Sequence, residues 1–176
     1  MTTSAPYELG PMPARSRMRQ LDELLVRAPV ERIFRLAKRV DEWPQHLSHY
    51  NYVTFRERRA DGGGLVEMSA DRPFGALNWP TWWLSEMSVS ESAPAVRFRH
   101  VGGITTGMDV EWTFEPVTEG QRQLTHVRIL HLWDGPRWPV IAPFAATKVI
   151  GPVFVHGIAQ RTLAGLARAA EAAARA

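Results

Sequence analysis

The chain has no cysteine among its 176 residues. Disulfides, thiolate nucleophiles and cysteine-ligated metal centres are thereby excluded. Lysine is scarce as well, with Lys38 and Lys148 alone, so the net charge of +3 rests on arginine. Arginines alternate with Asp and Glu over most of the chain; only Arg15, Arg17 and Arg19 stand with little acid beside them. Nucleic-acid recognition needs its cations gathered on one face, so no nucleic-acid partner is expected. No apolar run suits a signal peptide or a membrane span, which predicts a soluble, cytoplasmic protein. There is no Gly-x-Ser-x-Gly elbow, and Gly62-Gly63-Gly64 lacks the spacing and following helix of a phosphate loop. His46 and His49 stand three apart with no third ligand nearby, so neither a metal nor a cofactor is expected.

What the chain does have is tryptophan, seven in all: Trp43, Trp79, Trp82, Trp83, Trp112, Trp133 and Trp138. Indoles either fill a core or line a cavity for a flat, apolar ligand. The length suits one domain with a core of its own. Residues 1–18, which hold Pro6, Pro11 and Pro13, read as a flexible tail, and 19–176 as a single ligand-binding domain.

Gly151 to Arg175 organises the rest. Val153, His156, Gln160, Leu163, Ala167 and Ala170 recur at helical steps, and Pro152 is tolerated in a first turn. Such a helix needs a cover. Arg19 to Ala28 reads as a first strand. Pro29 then opens a helix with the stripe Ile33, Phe34, Ala37 and Val40, and Asp41-Glu42-Trp43-Pro44 ends it. A short helical turn over Gln45 to Ser48 follows. Further strands are predicted over Tyr50–Arg59, Leu65–Ala70, Asn78–Glu91, Ala95–Val101, Thr106–Pro116 and Gln123–Asp134. Asp71 to Leu77 reads as a loop at a cavity rim, and Gly135 to Pro143 as an irregular link. Pro80 suggests an edge or bulge. The prediction is an α+β chain: a curved seven-stranded antiparallel sheet wrapped around a long C-terminal helix, with two short helices after strand 1. The sheet is expected to close over the helix and leave a cavity at one end.

Alternation nominates what lies inside. Met108, Val110, Trp112 and Phe114 share one face of their strand; Trp83 and Phe98 point inward by the same count, and His100 shares the parity of Phe98. Arg97 and Arg99 then face solvent. In the last strand two phases compete. Val127, Ile129, His131 and Trp133 are inward in one; in the other, Leu124, His126, Leu130 and Leu132 are inward with Arg128. His156, Val153 and Gln160 share the helical stripe, and Arg72 sits in the supposed entrance loop, where it would meet a carboxylate or a carrier's phosphate.

The order of these features resembles the Bet v 1-like, START-related helix-grip proteins (the SRPBCC superfamily), and among them the polyketide cyclase/aromatase branch. The resemblance covers roughly Leu21 to Ala170. It lies in Val26-Arg27-Ala28-Pro29-Val30-Glu31-Arg32-Ile33-Phe34, in Val40-Asp41-Glu42-Trp43-Pro44, and in Met108-Asp109-Val110-Glu111-Trp112-Thr113-Phe114-Glu115-Pro116. It implies that Trp43 and Tyr50 line the cavity. It also implies a Trp-x-Ser-x-Arg strand, and here Met87 replaces that arginine in Trp83-Leu84-Ser85-Glu86-Met87.

Two functions follow as expectations. One is a cofactor-independent cyclase/aromatase promoting aldol closure and dehydration of a polyketide-like substrate, free or delivered on an acyl carrier protein. His131, Tyr50 and His156 would be its catalytic groups. Trp43, Arg72, Trp83, Met87, Phe98, His100, Met108, Trp112, Trp133, Val153 and Gln160 would contact the substrate. The other is a non-catalytic carrier of an apolar ligand such as a lipid or quinone. A third view makes the chain a partner-binding module using an exposed sheet edge. A monomer and a homodimer both fit.

Overall fold

The computed structural model describes residues 8–74, 77–135 and 155–175, with backbone alone for 72–74, 77–79 and 174–175. The chain runs β1 (Met18–Val26), α1 (Val30–Lys38), a 3-10 turn (Val40–Glu42), α2 (Trp43–His46), β2 (Tyr50–Arg58), β3 (Gly64–Phe74), β4 (Leu77–Ser90), β5 (Ala95–Gly103), β6 (Asp109–Glu119), β7 (Arg122–Trp133) and α3 (His156–Arg175). The strands form one antiparallel sheet in the order β1-β7-β6-β5-β4-β3-β2. Strands β2 to β7 are thus a meander, and β1 joins it beside β7. The predicted α+β chain with seven strands, two short helices after the first and a C-terminal helix is what forms.

Two expectations change. The sheet is open rather than closed: β1 pairs with β7 and β2 with β3, and the two stand at opposite edges. Its inner face is covered by α3, which meets β1, β3, α1 and α2. The expected loop Asp71 to Leu77 is mostly strand, because β3 and β4 stay in register out to Phe74 and Leu77. Pro80 fits there because β4 pairs with β5 only from Trp83 to Ser90, so the missing N–H falls on a stretch that β5 does not reach. The link Gly135 to Pro143 and the predicted helix start at Gly151 lie outside the described residues.

Local chemistry explains the elements. Pro29 is extended before α1, Glu31 sits in its first turn, and Arg35 and Lys38 sit in its last, which suits the helix dipole. The helix buries Ile33, Phe34 and Ala37. Pro44 lies in the first turn of α2 and positions Trp43 at the corner with the 3-10 turn. Gly103 ends β5 with φ +85; a Cβ there would collide with the Trp82 carbonyl oxygen and stand 2.8 Å from the Trp83 Cα. Backbone contact that close is open only to glycine.

On the sheet's outer face Arg97 and Arg99 are less solvated than the alternation implies. Asp109 is buried between them, with Arg99 Nε donating to its carboxylate at 3.0 Å. Arg97 also reaches Glu111 at 3.6 Å and donates to the Gly10 carbonyl. Leu9 beside Gly10 is buried. The described part of the N-terminal segment therefore lies against this face. Among the described residues no helix is long and apolar enough to cross a membrane.

Candidate functional site

A chain of rings runs through the interior. Phe34 packs on Phe114 with centroids 5.3 Å apart, Phe114 on Trp112 at 6.4 Å, and Trp112 on Trp43 at 5.7 Å. Trp43 meets Tyr50 at 5.4 Å, Tyr50 meets Trp83 at 6.2 Å, and Trp83 stacks on His100 at 6.0 Å. These edge and offset arrangements are the favourable ones for aromatic pairs. At the first end the rings fill the space under α1. From Trp112 onward they border a cavity of about 90 Å³.

Each wall has a sequence reason. Trp43 faces inward from the Pro44 corner, and its Nε1 donates to the Leu36 carbonyl at 3.1 Å, which satisfies the one polar atom of a buried indole. Strand alternation delivers Trp83, Phe98, His100, Met108, Val110, Trp112, Ile129 and His131. Tyr50 opens β2, Met68 and Thr81 come from β3 and β4, and Ile104 and Thr105 come from the turn after β5. The helix side supplies Val155, Ile158, Ala159 and Thr162.

The phase of β7 is resolved by burial. Val127, Ile129, His131 and Trp133 are all buried on the inner side. Arg128 faces outward, within 3.7 Å of Glu23 and 4.0 Å of Glu115. It does not replace the arginine absent at Met87. No described residue lining the cavity carries a formal charge at Lys, Arg, Asp or Glu.

The polar groups inside are therefore His100, His131, Tyr50 and a few hydroxyls. His131 is buried, and its Nδ1 has no hydrogen-bond partner among the described residues. Burial holds its pKa down to about 3. His100 is held to about 3 by burial and then by the neighbouring His131, and its Nδ1 lies 2.6 Å from Thr105 Oγ1. Both imidazoles are neutral at pH 7, each with one N–H and one lone pair. Burial also drives the Tyr50 phenol upward, so it stays protonated. Its hydroxyl lies 3.3 Å from Thr162 Oγ1.

Several predicted contacts fall elsewhere. His156 and Gln160 are off the cavity face. Their helix turns Val155, Ala159 and Thr162 inward and leaves Gln160 exposed. His156 Nδ1 instead donates to the buried Asp22 of β1 at 2.5 Å, with Gln20 Nε2 lying 3.1 Å away. Burial raises the Asp22 pKa, and His156 opposes that rise. Met87 is fully buried in the core but does not border the cavity. Trp133 is likewise core, its Nε1 donating to the Thr106 carbonyl at 3.0 Å. Val153 and the Arg72 side chain lie outside the described residues. Sequence reasoning missed Met68, Thr81, Ile104, Thr105 and Thr162. A stripe begun at Val155 rather than Val153 would have found Thr162.

No group of three or more metal-ligating side chains occurs among the described residues. With neutral imidazoles, a phenol and hydroxyls on apolar walls, the arrangement can bind a largely apolar molecule, polarise its carbonyl groups and exchange protons with them.

Comparison with known proteins agrees with that fold. The chain resembles in structure the ZhuI aromatase/cyclase of Streptomyces sp. R1128, at 14% identity over 88% of this chain and 93% of that one, TM-score 0.68. It resembles the protein TTHA0849 of Thermus thermophilus at 19% identity over 89% and 99%, TM-score 0.67. Major latex-like protein 151 of Panax ginseng matches at 12% identity over 87% and 97%, TM-score 0.62. Identities this low speak for a shared fold alone. No curated protein matches the chain by sequence. The sequence profile of one family, however, described as polyketide cyclase / dehydrase and lipid transport, matches residues 26–150. That span takes in every strand from β2 to β7 and the Trp43 corner, and by it the chain belongs to the polyketide cyclase/dehydrase and lipid transport family.

Proposed function

We propose that the chain is a cofactor-independent cyclase/aromatase that folds a polyketide-like precursor in the cavity and promotes its aldol closure and dehydration. The observation that carries this reading is the convergence of His131, His100 and Tyr50 on one ring-lined space. Holding a flexible ketide so that a carbanion meets a carbonyl is mostly a matter of proximity, and flat indole walls supply it. The N–H of a neutral imidazole can polarise the carbonyl, as a charged one need not. The lone pair of the other imidazole takes a proton from the carbon acid. An enolate formed beside it favours imidazolium, so the low pKa rises as charge develops. Tyr50 then protonates the resulting alkoxide. The imidazolium returns its proton to that hydroxyl, which leaves as water while the adjacent C–H proton passes to solvent, and solvent restores the Tyr50 proton.

Size sets a condition. The free volume of about 90 Å³ is smaller than the roughly 150 Å³ hole that takes up benzene. A fused-ring product fits only as lining side chains move, and Met68 and Met108 are the adaptable ones.

A second reading, a carrier of an apolar ring compound or lipid, draws on the absence of any charged side chain in the described lining. The two readings separate in one experiment. Purified protein is incubated with a poly-β-keto thioester and the products are compared with the spontaneous mixture. A shift towards one cyclised, dehydrated product, lost in Tyr50→Phe and His131→Ala with ligand affinity kept, supports the enzyme. An unchanged mixture together with a retained apolar ligand in native mass spectrometry supports the carrier.

A further inference from the structure

Thr162 has three partners around one hydroxyl. Its Oγ1 lies 2.8 Å from the Ile158 carbonyl oxygen, 3.1 Å from His49 Nε2 and 3.3 Å from the Tyr50 hydroxyl. A threonine hydroxyl has one proton and two lone pairs. Thr162 can therefore give its proton either to the Ile158 carbonyl or to Tyr50, while a lone pair accepts the Nε2–H of His49. Thr162 is buried, Tyr50 reaches the cavity, and His49 is half-buried with its ring 4.8 Å from that of Tyr50.

We propose that His49, Thr162 and Tyr50 form a proton relay that links the solvent side of the fold to the cavity. It rests on the reading of Tyr50 as the cavity's proton donor. When the Tyr50 O–H bond breaks and its proton goes to an oxyanion of the bound molecule, the Thr162 proton moves to the phenolate oxygen. The Nε2 proton of His49 moves to Thr162, and Nδ1 takes one from water. Every residue ends neutral, and one solvent proton has reached the ligand.

The physical reason for such a chain is the burial of Tyr50. A phenolate in that apolar wall is costly, as the upward displacement of its pKa expresses. Donation by Tyr50 is economical only if replacement is concerted. His49 suits the outer position because burial and Arg161 hold its pKa down to about 4, leaving it neutral and free to exchange tautomers at pH 7. The charged groups facing it are Arg161 on α3 and Asp71 on β3, which oppose each other.

The test reads solvent exchange of the Tyr50 hydroxyl proton by NMR in the ligand-free protein, with the resonance assigned by its loss in Tyr50→Phe. Thr162→Val should slow exchange at least about tenfold, and Thr162→Ser should restore it. His49→Gln, which keeps an N–H but has no second ring nitrogen, should slow it similarly. Exchange in Thr162→Val or His49→Gln as fast as in the wild type overturns the relay. Turnover of the poly-β-keto thioester is measured alongside. If the wild type shows none while the exchange pattern holds, the cyclase reading falls and the relay stands. If the wild type turns over and Thr162→Val matches it, the relay falls and the cyclase reading stands.

Discussion

The two ends of the interior are built from the same kinds of side chain and come out differently. Under α1, Phe34 and Phe114 meet edge to face, with buried Val127 paired to Phe114 in the sheet, and space is filled. Beyond Trp112 the walls are as aromatic, yet a void remains and His100, His131 and Tyr50 look into it. Aromatic content alone therefore does not decide between packing and lining. What decides is what stands opposite. At the filled end α1 adds a second helical layer of Ile33, Phe34 and Ala37. At the hollow end α3 offers Val155, Ile158, Ala159 and Thr162, with no layer from α1 between.

That contrast can be broken in order of effect. Phe34→Ala should cost about 3–5 kcal/mol of stability in chemical denaturation, since the filled end cannot collapse around the loss. It should leave ligand affinity nearly intact. Acid should weaken the hollow end next. Folded His100 and His131 have lowered pKa values, so the unfolded chain binds more protons below about 6.5. Stability is thus full above that pH and is lost as pH falls from 6.5 towards 3. Each imidazole contributes a slope of up to about 1.4 kcal/mol per pH unit. His131→Gln should remove one such slope from a series of melts across that window; an unchanged slope would show that burial is not what holds this group neutral. Tyr50→Phe should cost only about 0.5–1.5 kcal/mol, because one long hydrogen bond is lost, while changing chemistry in the cavity far more. Arg128→Ala should alter stability by under about 1 kcal/mol and ligand binding not at all, its ion pairs being partly exposed.

Much of the architecture was legible because it is periodic. Alternation running from Met108 into β6 placed Met108, Val110, Trp112 and Phe114 on one face, and the Pro44 corner placed Trp43. The phase of β7 was not legible, since both of its faces are apolar; Leu124 and Leu132 are buried as well as Ile129. Burial of α3 follows two adjacent stripes, and choosing the one through His156 and Gln160 missed the cavity by one residue. Met87 and Trp133 were assigned to a ligand because nothing in a sequence says which inward side chains have a neighbour opposite. Thr105 went unseen for another reason: a hydroxyl in a turn carries no pattern, and its role appears only with its partners. The length of β3 and β4 was hidden by Pro73, Gly75 and Pro80, which read as breakers, although Pro73 and Pro80 both lie in paired strand.

Gly103 bears on how this site can be altered. It leaves no gap between the end of β5 and the backbone of Trp82 and Trp83, and the ring carried by that backbone at Trp83 borders the cavity. Any side chain at 103 would displace the Trp82 and Trp83 backbone, and with it the Trp83 ring that borders the void. The room available to a guest can thus be tuned from a residue the guest never meets, and a reduced appetite for larger molecules in Gly103→Ala would be the sign of it.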